Sequence, residues 1–381
     1  MKKNILLTIY RFGKDYGGAE RDTFYFCNYM KKFFNIKIIT KEMVSSPFIE
    51  KISNMNLKVK GIGRIKWIIN LLNDYIKIKR ESKNIDIFYG VYFGFDELFT
   101  ISTLLVANRF KKPFVLNPYT HLTSFWENKF MKFLYRNSNV IIARTEVEKK
   151  WLSRFTSKKI EVIPLGIELL NKDNIKLRFK EKYGIKGKMV LFIGRKSEYK
   201  NYKLLVESAN FVWKEFPDTY FVFMGKDTNM SYEYFKKIKD KRIINIGFVN
   251  EDEKYSALKE CDIFCLPSEQ ESFGIVYLEA WLFKKPVIAL NISPINEIIK
   301  NNEDGILINK DKFELANAIK EILKNKKKME MLGENGYIKV KKFFNLEEKQ
   351  KRDYFLFKNI SNKKFLNKLK ISELFKIILW K

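Results

Sequence analysis

The chain contains a single histidine, His121, and three cysteines among 381 residues. Cys27, Cys261 and Cys265 are odd in number and stand outside any cluster of metal-ligating side chains. Sparse cysteines of this kind are typical of small apolar core residues in a reducing compartment. We therefore expect no disulfide framework, no metal cofactor and a cytoplasmic protein.

Long apolar runs are also absent. No stretch of 18 apolar residues occurs, so the sequence predicts no transmembrane helix. The apolar start, Asn4 to Tyr10, is short, is followed by Arg11 and lacks a small-residue cleavage site. These features argue against a signal peptide and favour a buried first strand.

Two phosphate-binding signatures are missing as well. No Gly-x-Gly-x-x-Gly opens either half of the chain, and no Gly-x4-Gly-Lys-Ser/Thr occurs. Both signatures place glycines where a backbone must approach a phosphate closely. Their absence argues against redox dinucleotide binding and against a P-loop nucleotidase.

What the chain has is a regular alternation of apolar strand-like runs with amphipathic helical runs. Strands are predicted over residues 4–10, 36–40, 85–89, 114–116, 140–143, 189–193, 220–224, 242–246, 262–266 and 287–290. This alternation predicts parallel, doubly wound sheets in an α/β protein.

A break between the two halves is predicted at Pro164-Leu165-Gly166, a run typical of a hinge. We therefore expect an N-terminal domain over residues 1–165 and a second domain over residues 166–345. Residues 346–381 are expected to form a helix that returns to the first domain, followed by a basic amphipathic tail. Ligands of such folds bind in the cleft outside the carboxyl ends of the strands.

The densest motif leads from a predicted strand into a predicted helix. It reads Pro-Ser-Glu-Gln-Glu-Ser-Phe-Gly over residues 267–274 and continues to Glu279. The first N–H groups of a helix are unpaired and suit a phosphate. Eight helical residues rise roughly 12 Å, whereas the paired carboxylates of a glycoside hydrolase lie about 5–9.5 Å apart. Glu271 and Glu279 therefore suit the two ends of one long ligand, such as a nucleotide sugar.

This stretch resembles the E-x7-E signature of retaining GT-B glycosyltransferases, in particular of family 4. The resemblance implies the GT-B fold, in which two Rossmann-like domains face a central cleft. It implies that Glu271 lies beside the donor sugar. The amides of Ser272, Phe273 and Gly274 would line the sugar and diphosphate. Glu279 would bind the ribose hydroxyls of the nucleotide.

Two basic residues follow the first strand of the second half. Gly194 and Arg195 end a predicted strand, and Lys200 comes six residues after Gly194. Fixed cations at a strand end can neutralise a leaving diphosphate. The stretch resembles the family's Gly-Arg…Lys-Gly element, whose Arg and Lys grip the donor diphosphate. Asn201 stands where the family has glycine.

The first half supplies a second group of candidates. Gly17 and Gly18 follow strand one and resemble the family's Gly-Gly-x-Glu loop, which faces the donor across the cleft. Glycine there would allow close approach to the ligand and unusual φ/ψ angles. The family often places a histidine where His121 stands, in contact with the transferred sugar or orienting the acceptor. Glu297 is expected to be a support residue at most.

Positive charge is spread unevenly. The net charge is +29: residues 1–165 carry 30 Lys and Arg against 14 Asp and Glu (+16), residues 166–350 carry 34 against 28 (+6), and residues 351–381 carry 9 against 2 (+7). Donor phosphates alone do not account for an excess outside the half that holds the Glu motif. The distribution favours attraction to an anionic membrane surface or a lipid-diphosphate acceptor. A lysine-rich composition without function is the alternative.

The basic tail carries one apolar helical stripe, formed by Ile371, Leu374, Phe375 and Ile378. Lys363, Lys364, Lys368, Lys370, Lys376 and Trp380 accompany the stripe. The pattern favours a membrane-surface anchor. Packing of the same stripe against the first domain is the alternative.

The sequence therefore predicts a peripheral membrane enzyme at the inner face of the membrane. It would move a hexose from a nucleotide-diphosphate sugar to a lipid-linked or glycan acceptor, with retention and without a metal. The chain contains no Asp-x-Asp, which argues against the metal-dependent GT-A class. Two alternatives stay open: a GT-B nucleotide-sugar enzyme without transfer, such as an epimerase, and a basic non-catalytic protein that binds membrane or nucleic acid. No nucleic-acid motif supports the second.

Overall fold

The computed structural model describes residues 2–13, 17–43, 52–54, 63–94, 96–169, 175–363, 369 and 371–379. Two compact units make up the chain. The N-terminal unit comprises Met1–Leu165 and Glu347–Lys381, and the C-terminal unit comprises Gly166–Leu346. Each unit contains a parallel sheet of its own.

The N-terminal unit contains a seven-stranded sheet in the order β3-β2-β1-β4-β5-β6-β7. The strands are β1 (Asn4–Phe12), β2 (Asn35–Met43), β3 (Ile52–Asn54), β4 (Ile87–Val91), β5 (Phe114–Asn117), β6 (Val140–Ala143) and β7 (Lys159–Val162). The helices are α1 (Gly18–Met30), α2 (Gly63–Glu81), α3 (Glu97–Arg109), α4 (Lys129–Asn137), α5 (Glu146–Ser153), α14 (Leu346–Ser361) and α15 (Ile371–Leu379). Ile5 of β1 is in register with Ile87 of β4. Every residue of β4, β5 and β6 is buried, as expected for parallel strands covered on both faces.

The C-terminal unit contains a six-stranded sheet in the order β10-β9-β8-β11-β12-β13. Its strands are β8 (Lys188–Ile193), β9 (Thr219–Met224), β10 (Ile243–Ile246), β11 (Ile263–Leu266), β12 (Val287–Leu290) and β13 (Gly305–Ile308). Its helices are α6 (Phe179–Lys182), α7 (Tyr202–Val212), α8 (Asn229–Lys236), α9 (Glu251–Glu260), α10 (Ile275–Leu282), α11 (Ile295–Ile298), α12 (Lys312–Lys324) and α13 (Lys326–Phe343). The prediction of two parallel, doubly wound sheets is confirmed.

Helix α15, in the C-terminal tail, packs against the N-terminal unit, whereas the sequence favoured a membrane-surface anchor. Leu374 and Ile378 of the apolar stripe are buried in the core of the N-terminal unit, together with Ile377. Burial of each such side chain stabilises the fold by roughly 1.5–3 kcal/mol, which favours packing over exposure. The described part of the stripe therefore packs in the N-terminal unit, and the membrane contact predicted for Leu374 and Ile378 is wrong. Lys364, Lys368, Lys370 and Trp380 lie outside the described residues.

A buried network of charges ties α14 to the N-terminal unit. Arg144, at the end of β6, donates to the Asp22 carboxylate of α1 at 3.0 Å and to the Tyr119 hydroxyl at 2.7 Å. Lys349 of α14 lies 2.7 Å from Asp22 and 2.7 Å from Asp353. All four charged side chains are at most 4% exposed. Ion pairs taken out of water need every partner present, so this network fixes the helix in one position.

Candidate functional site

The carboxyl edge of the C-terminal sheet has a topological switch point between β8 and β11. The chain passes from β8 outward through β9 and β10, then returns to the other side of β8 with β11. Loops that leave adjacent strands at such a point diverge and form a ligand crevice. The two loops here are the segment after Ile193 and the segment after Leu266. They contain the two strongest motifs of the sequence.

The two loops contact each other directly. Lys200, which ends a 3-10 turn over Glu198–Lys200, forms an ion pair with the Glu271 carboxylate. The backbone N–H of Glu269 donates to the Tyr199 carbonyl at 2.7 Å. The side chain of Asn201 donates to the Pro267 carbonyl at 2.9 Å. The structure therefore brings together Lys200 and Glu271, which lie 71 positions apart in the sequence.

Asn201 takes a backbone conformation that glycine adopts most easily. Its backbone has φ +52° and ψ +37°, the left-handed region. Glycine enters this region most easily, and asparagine is among the few other residues that do so readily. Asn201 can therefore form the turn that follows Lys200.

The N-terminus of α10 presents free backbone donors. Gly274 caps the helix with φ +75°, and a Cβ at this position would lie 2.6 Å from the Tyr277 ring. Among the described residues, no hydrogen bond is made by the backbone N–H groups of residues 272–275. Phe273 is buried and packs edge-to-face on Phe344 at 5.6 Å, which fixes the loop. The amides are thus held in place, and their binding of an anionic ligand stays a prediction.

Glu279 lies one turn into α10 and is 2% exposed. Its carboxylate accepts a hydrogen bond from the Lys254 ammonium group of α9 at 2.9 Å. Lys254 is absent from the sequence predictions, because its pairing with Glu279 is a tertiary contact between two helices. The pair holds the carboxylate at a defined position, and the role of Glu279 stays a prediction.

Arg195 and its neighbour Lys196 have opposite environments. Arg195 is exposed and its side chain has no hydrogen bond or ion pair among the described residues. The Lys196 ammonium group is buried and donates to the carbonyls of Gly225 at 2.7 Å and Ile246 at 2.9 Å. Burial lowers the pKa of Lys196, and the Asp227 carboxylate at 3.2 Å opposes this shift. Lys196 thus ties together the ends of β8, β9 and β10, while Arg195 stays available to a ligand.

The remaining candidates lie in the N-terminal unit. Gly17 has φ −96° and ψ −174°, so it does not use the unusual angles that glycine would allow. A Cβ on Gly17 would approach the Glu20 carboxylate to 2.9 Å. Gly18 is the first residue of α1. These glycines follow β1, which is adjacent to β4 at the switch point of this sheet.

His121 lies in a strained loop after β5. Tyr119 and Leu122 have φ +43° and +55°, which is uncommon for residues with bulky side chains. Thr120 donates through its backbone N–H and its hydroxyl to the buried Glu148 carboxylate, at 3.2 and 2.6 Å. The His121 ring is half-buried, 6.0 Å from Trp126. Its sugar-side role stays a prediction.

Within the described part of the chain, no cluster of His, Cys, Asp and Glu side chains has the geometry of a metal site. Over the same residues, no helix is both long and apolar enough to cross a bilayer.

The fold is that of GT-B proteins. HepE of Anabaena, whose crystal structure holds UDP and glucose, matches with a TM-score of 0.76 at 16% identity. The match covers 94% of this chain and 100% of HepE. At this identity the similarity shows the fold alone.

Sequence comparison adds a match to a family model and to several curated relatives. Residues 173–339 match the model of the family Glycosyl transferases group 1. The uncharacterized glycosyltransferase MJ1178 of Methanocaldococcus jannaschii is 26% identical over 301 residues, 75% of this chain and 79% of MJ1178. The UDP-Gal:alpha-D-GlcNAc-diphosphoundecaprenol alpha-1,3-galactosyltransferase of Escherichia coli is 32% identical over 165 residues, 39% of this chain and 41% of that enzyme.

The chain spans about half the length of several curated relatives that it matches: 56% of an uncharacterized 41.2 kDa protein of Klebsiella pneumoniae and 50% of the phosphatidyl-myo-inositol mannosyltransferase of Mycobacterium leprae. The match to the family model lies inside the C-terminal unit.

Proposed function

We propose that this chain is a retaining glycosyltransferase. It moves a hexose from a nucleotide-diphosphate sugar to a hydroxyl of a lipid-linked or glycan acceptor. The Lys200–Glu271 ion pair carries the proposal, because it lies at the switch point beside the free amides of residues 272–275. Fixed donors of this kind suit a diphosphate and a sugar.

Each charged group of the site has a distinct task in this proposal. Arg195 and Lys200 stabilise the negative charge that develops on the leaving diphosphate. The amides of residues 272–274 bind the sugar and diphosphate, and Glu271 positions the sugar while it orients Lys200. Glu279, held by Lys254, accepts hydrogen bonds from the ribose hydroxyls. Retention follows if the departing phosphate takes the acceptor proton on the face that it leaves.

The acceptor side of the proposal rests on charge and on the relatives. Residues 1–165 carry a net charge of +16, and the Escherichia coli relative is named for a diphosphoundecaprenol substrate. Basic surfaces attract anionic lipids with about 1 kcal/mol per Lys or Arg near the membrane. A cytoplasmic enzyme at the inner face of an anionic membrane, in polysaccharide or glycoconjugate synthesis, accounts for both observations.

Transfer without a metal is part of the proposal, since Arg195 and Lys200 supply the positive charge that a divalent cation provides in other enzymes. Sugar transfer measured in excess EDTA is expected to stay within about twofold of the untreated rate. If a metal ion stabilised the leaving diphosphate, its removal would instead lower kcat by about 10²–10³. Recovery of a lost rate on addition of Mg²⁺ or Mn²⁺ would show that this part of the proposal is wrong.

Donor binding tests the function. Saturation-transfer NMR against UDP-, GDP-, ADP- and dTDP-sugars is expected to show one preferred donor. Glu279→Ala should weaken its binding by about 1.5–3 kcal/mol, the usual contribution of a charged hydrogen bond. Glu334→Ala is the matched control, because Glu334 also pairs with a lysine, Lys284, in the same unit but at an exposed position. Unchanged affinity in Glu279→Ala would contradict the ribose assignment, and absence of binding to every donor would contradict the function.

A further inference from the structure

Helix α2 has apolar residues on two sides. Its inner side includes the buried Leu71 and Ile78, which belong to the core of the N-terminal unit. On its outer side Ile69, Leu72 and Ile76 are 37%, 52% and 45% exposed. At 3.6 residues per turn these three fall within about 60° of arc and form one stripe. We call Ile69, Leu72 and Ile76 the outer stripe.

The surroundings of the outer stripe are basic. Lys79 and Arg80, both exposed, extend the same side of the helix at its C-terminal end. The acids of α2 do not offset them: Asp74 is 6% exposed and pairs with Lys41 at 2.8 Å, and Glu81 pairs with Lys37. An apolar stripe that leads into uncompensated cations is complementary to lipid headgroups with anionic charge.

Helix α13 of the C-terminal unit also exposes apolar residues, but a charged residue lies among them. Met331 and Ile338 are 44% and 54% exposed, but Glu334 lies between them on the same side. Its carboxylate pairs with Lys284 at 2.6 Å. The exposed apolar residues of α13 are thus interrupted by charge, whereas those of α2 are continuous.

We propose that the outer stripe of α2 is the surface through which this protein docks on an anionic lipid bilayer. The stripe enters the headgroup region, and Lys79 and Arg80 contact the lipid phosphates. This surface takes the role that the sequence predicted for helix α15, whose Leu374 and Ile378 are buried in the N-terminal unit. This inference rests on the proposed function for the reason to visit a membrane, but vesicle binding is measured without any donor or acceptor.

The three native cysteines are buried, so one added cysteine can be labelled selectively. A Leu72→Cys variant carrying an environment-sensitive nitrobenzoxadiazole dye is mixed with vesicles of phosphatidylcholine containing 30% phosphatidylglycerol. The expected result is a blue shift and a several-fold rise in emission, reduced in 0.5 M salt because salt screens the charges. An Ile338→Cys variant, labelled in the same way, is the matched control and should not respond.

Sedimentation with the same vesicles gives the energetic test. Leu72→Gln is expected to weaken vesicle binding about tenfold, because burial of a leucine side chain in the bilayer contributes close to one factor of ten to the affinity. Ile338→Gln should leave binding unchanged. Donor binding, measured by NMR on both variants, is expected to equal that of the unmodified protein, so a failed donor test and a failed membrane test can be told apart.

Three results would overturn the proposal. A dye at position 72 that is already blue-shifted without vesicles and does not change with them would mean that protein covers the stripe. Loss of a dimer in Leu72→Gln, seen by light scattering, with vesicle binding unchanged would assign the stripe to a second copy. Equal binding of Leu72→Gln and the unmodified protein would exclude the stripe as the lipid contact.

Discussion

Replacing Lys200 with methionine is expected to lower kcat for sugar transfer by a factor of about 10²–10³, the usual cost of removing one preorganised group that stabilises developing negative charge. The ammonium group belongs to the loop that follows β8, and its partner Glu271 belongs to the loop that follows β11. Methionine keeps the length of the side chain but removes the charge. The measurement is steady-state kinetics with the preferred donor.

The difficulty with Lys200→Met is that it also leaves the Glu271 carboxylate, at 9% side-chain exposure, without its cation. A buried carboxylate that has lost its partner destabilises the fold in its own right. The double variant Lys200→Met/Glu271→Gln removes that penalty, so it should regain thermal stability but not activity. Lys203→Met is the matched control, because Lys203 pairs with Glu198 at 3.0 Å on the surface nearby. Recovery of activity in the double variant would mean that Lys200 serves the fold alone.

Much of the fold could be predicted because parallel strands are buried on both faces and read as continuous apolar runs. Runs such as residues 189–193 and 262–266 correspond to β8 and β11 with a difference of one residue at the N-terminal end and none at the C-terminal end. The order of strands and helices then places the loops after β8 and β11 at one sheet edge. For this reason the segments that contain Arg195 and Glu271 could be selected without coordinates.

Other elements gave weaker signals for physical reasons. Helix α3 is buried on nearly all sides, from Leu98 to Ala107, so it lacks the amphipathic period by which a helix is recognised. Strand β13 has four residues and follows an acidic turn, which is too little pattern for a prediction. The stripe of α15 has the same periodicity whether it faces a membrane or a protein core, and sequence alone could not distinguish the two.

The sequence analysis did not identify the lysines that form ion pairs in and around the candidate site. Lys196 and Lys254 are two among 73 basic residues, and nothing in their local sequence distinguishes them from surface lysines. Their tasks come from contacts with Asp227 and Glu279, 31 and 25 positions away. Pairing of this kind depends on how strands and helices are arranged in space, so it is visible only once the sheet order is known.

The largest loss of stability is expected for Arg144→Met. The Arg144 guanidinium is 1% exposed, and it donates to Asp22, to Tyr119 and to the Ile163 carbonyl. Breaking a buried ion pair by removing one partner costs about 3–5 kcal/mol, because the other charge stays buried. Denaturant unfolding of the N-terminal unit should therefore show a fall of that size. Arg154→Met is the matched control: its pair with Glu127, at 3.2 Å on the surface, should contribute less than about 1 kcal/mol.

The pH dependence of the free energy of unfolding is a second test of the role of Arg144. Burial alone would raise the pKa of Asp22, but Lys349 and Arg144 outweigh burial and hold that pKa below its usual value. A carboxylate with a lowered folded-state pKa stabilises the protein above the unfolded-state pKa of about 4, and this stabilisation is lost as the pH falls through the folded-state value. In Arg144→Met the folded-state pKa of Asp22 should rise, so the variant loses stability at pH 7 that it partly regains near pH 4. A stability difference that stays constant between pH 4 and pH 7 would mean that Lys349 alone compensates the Asp22 charge, and that Arg144 acts through its packing and its hydrogen bond to the backbone.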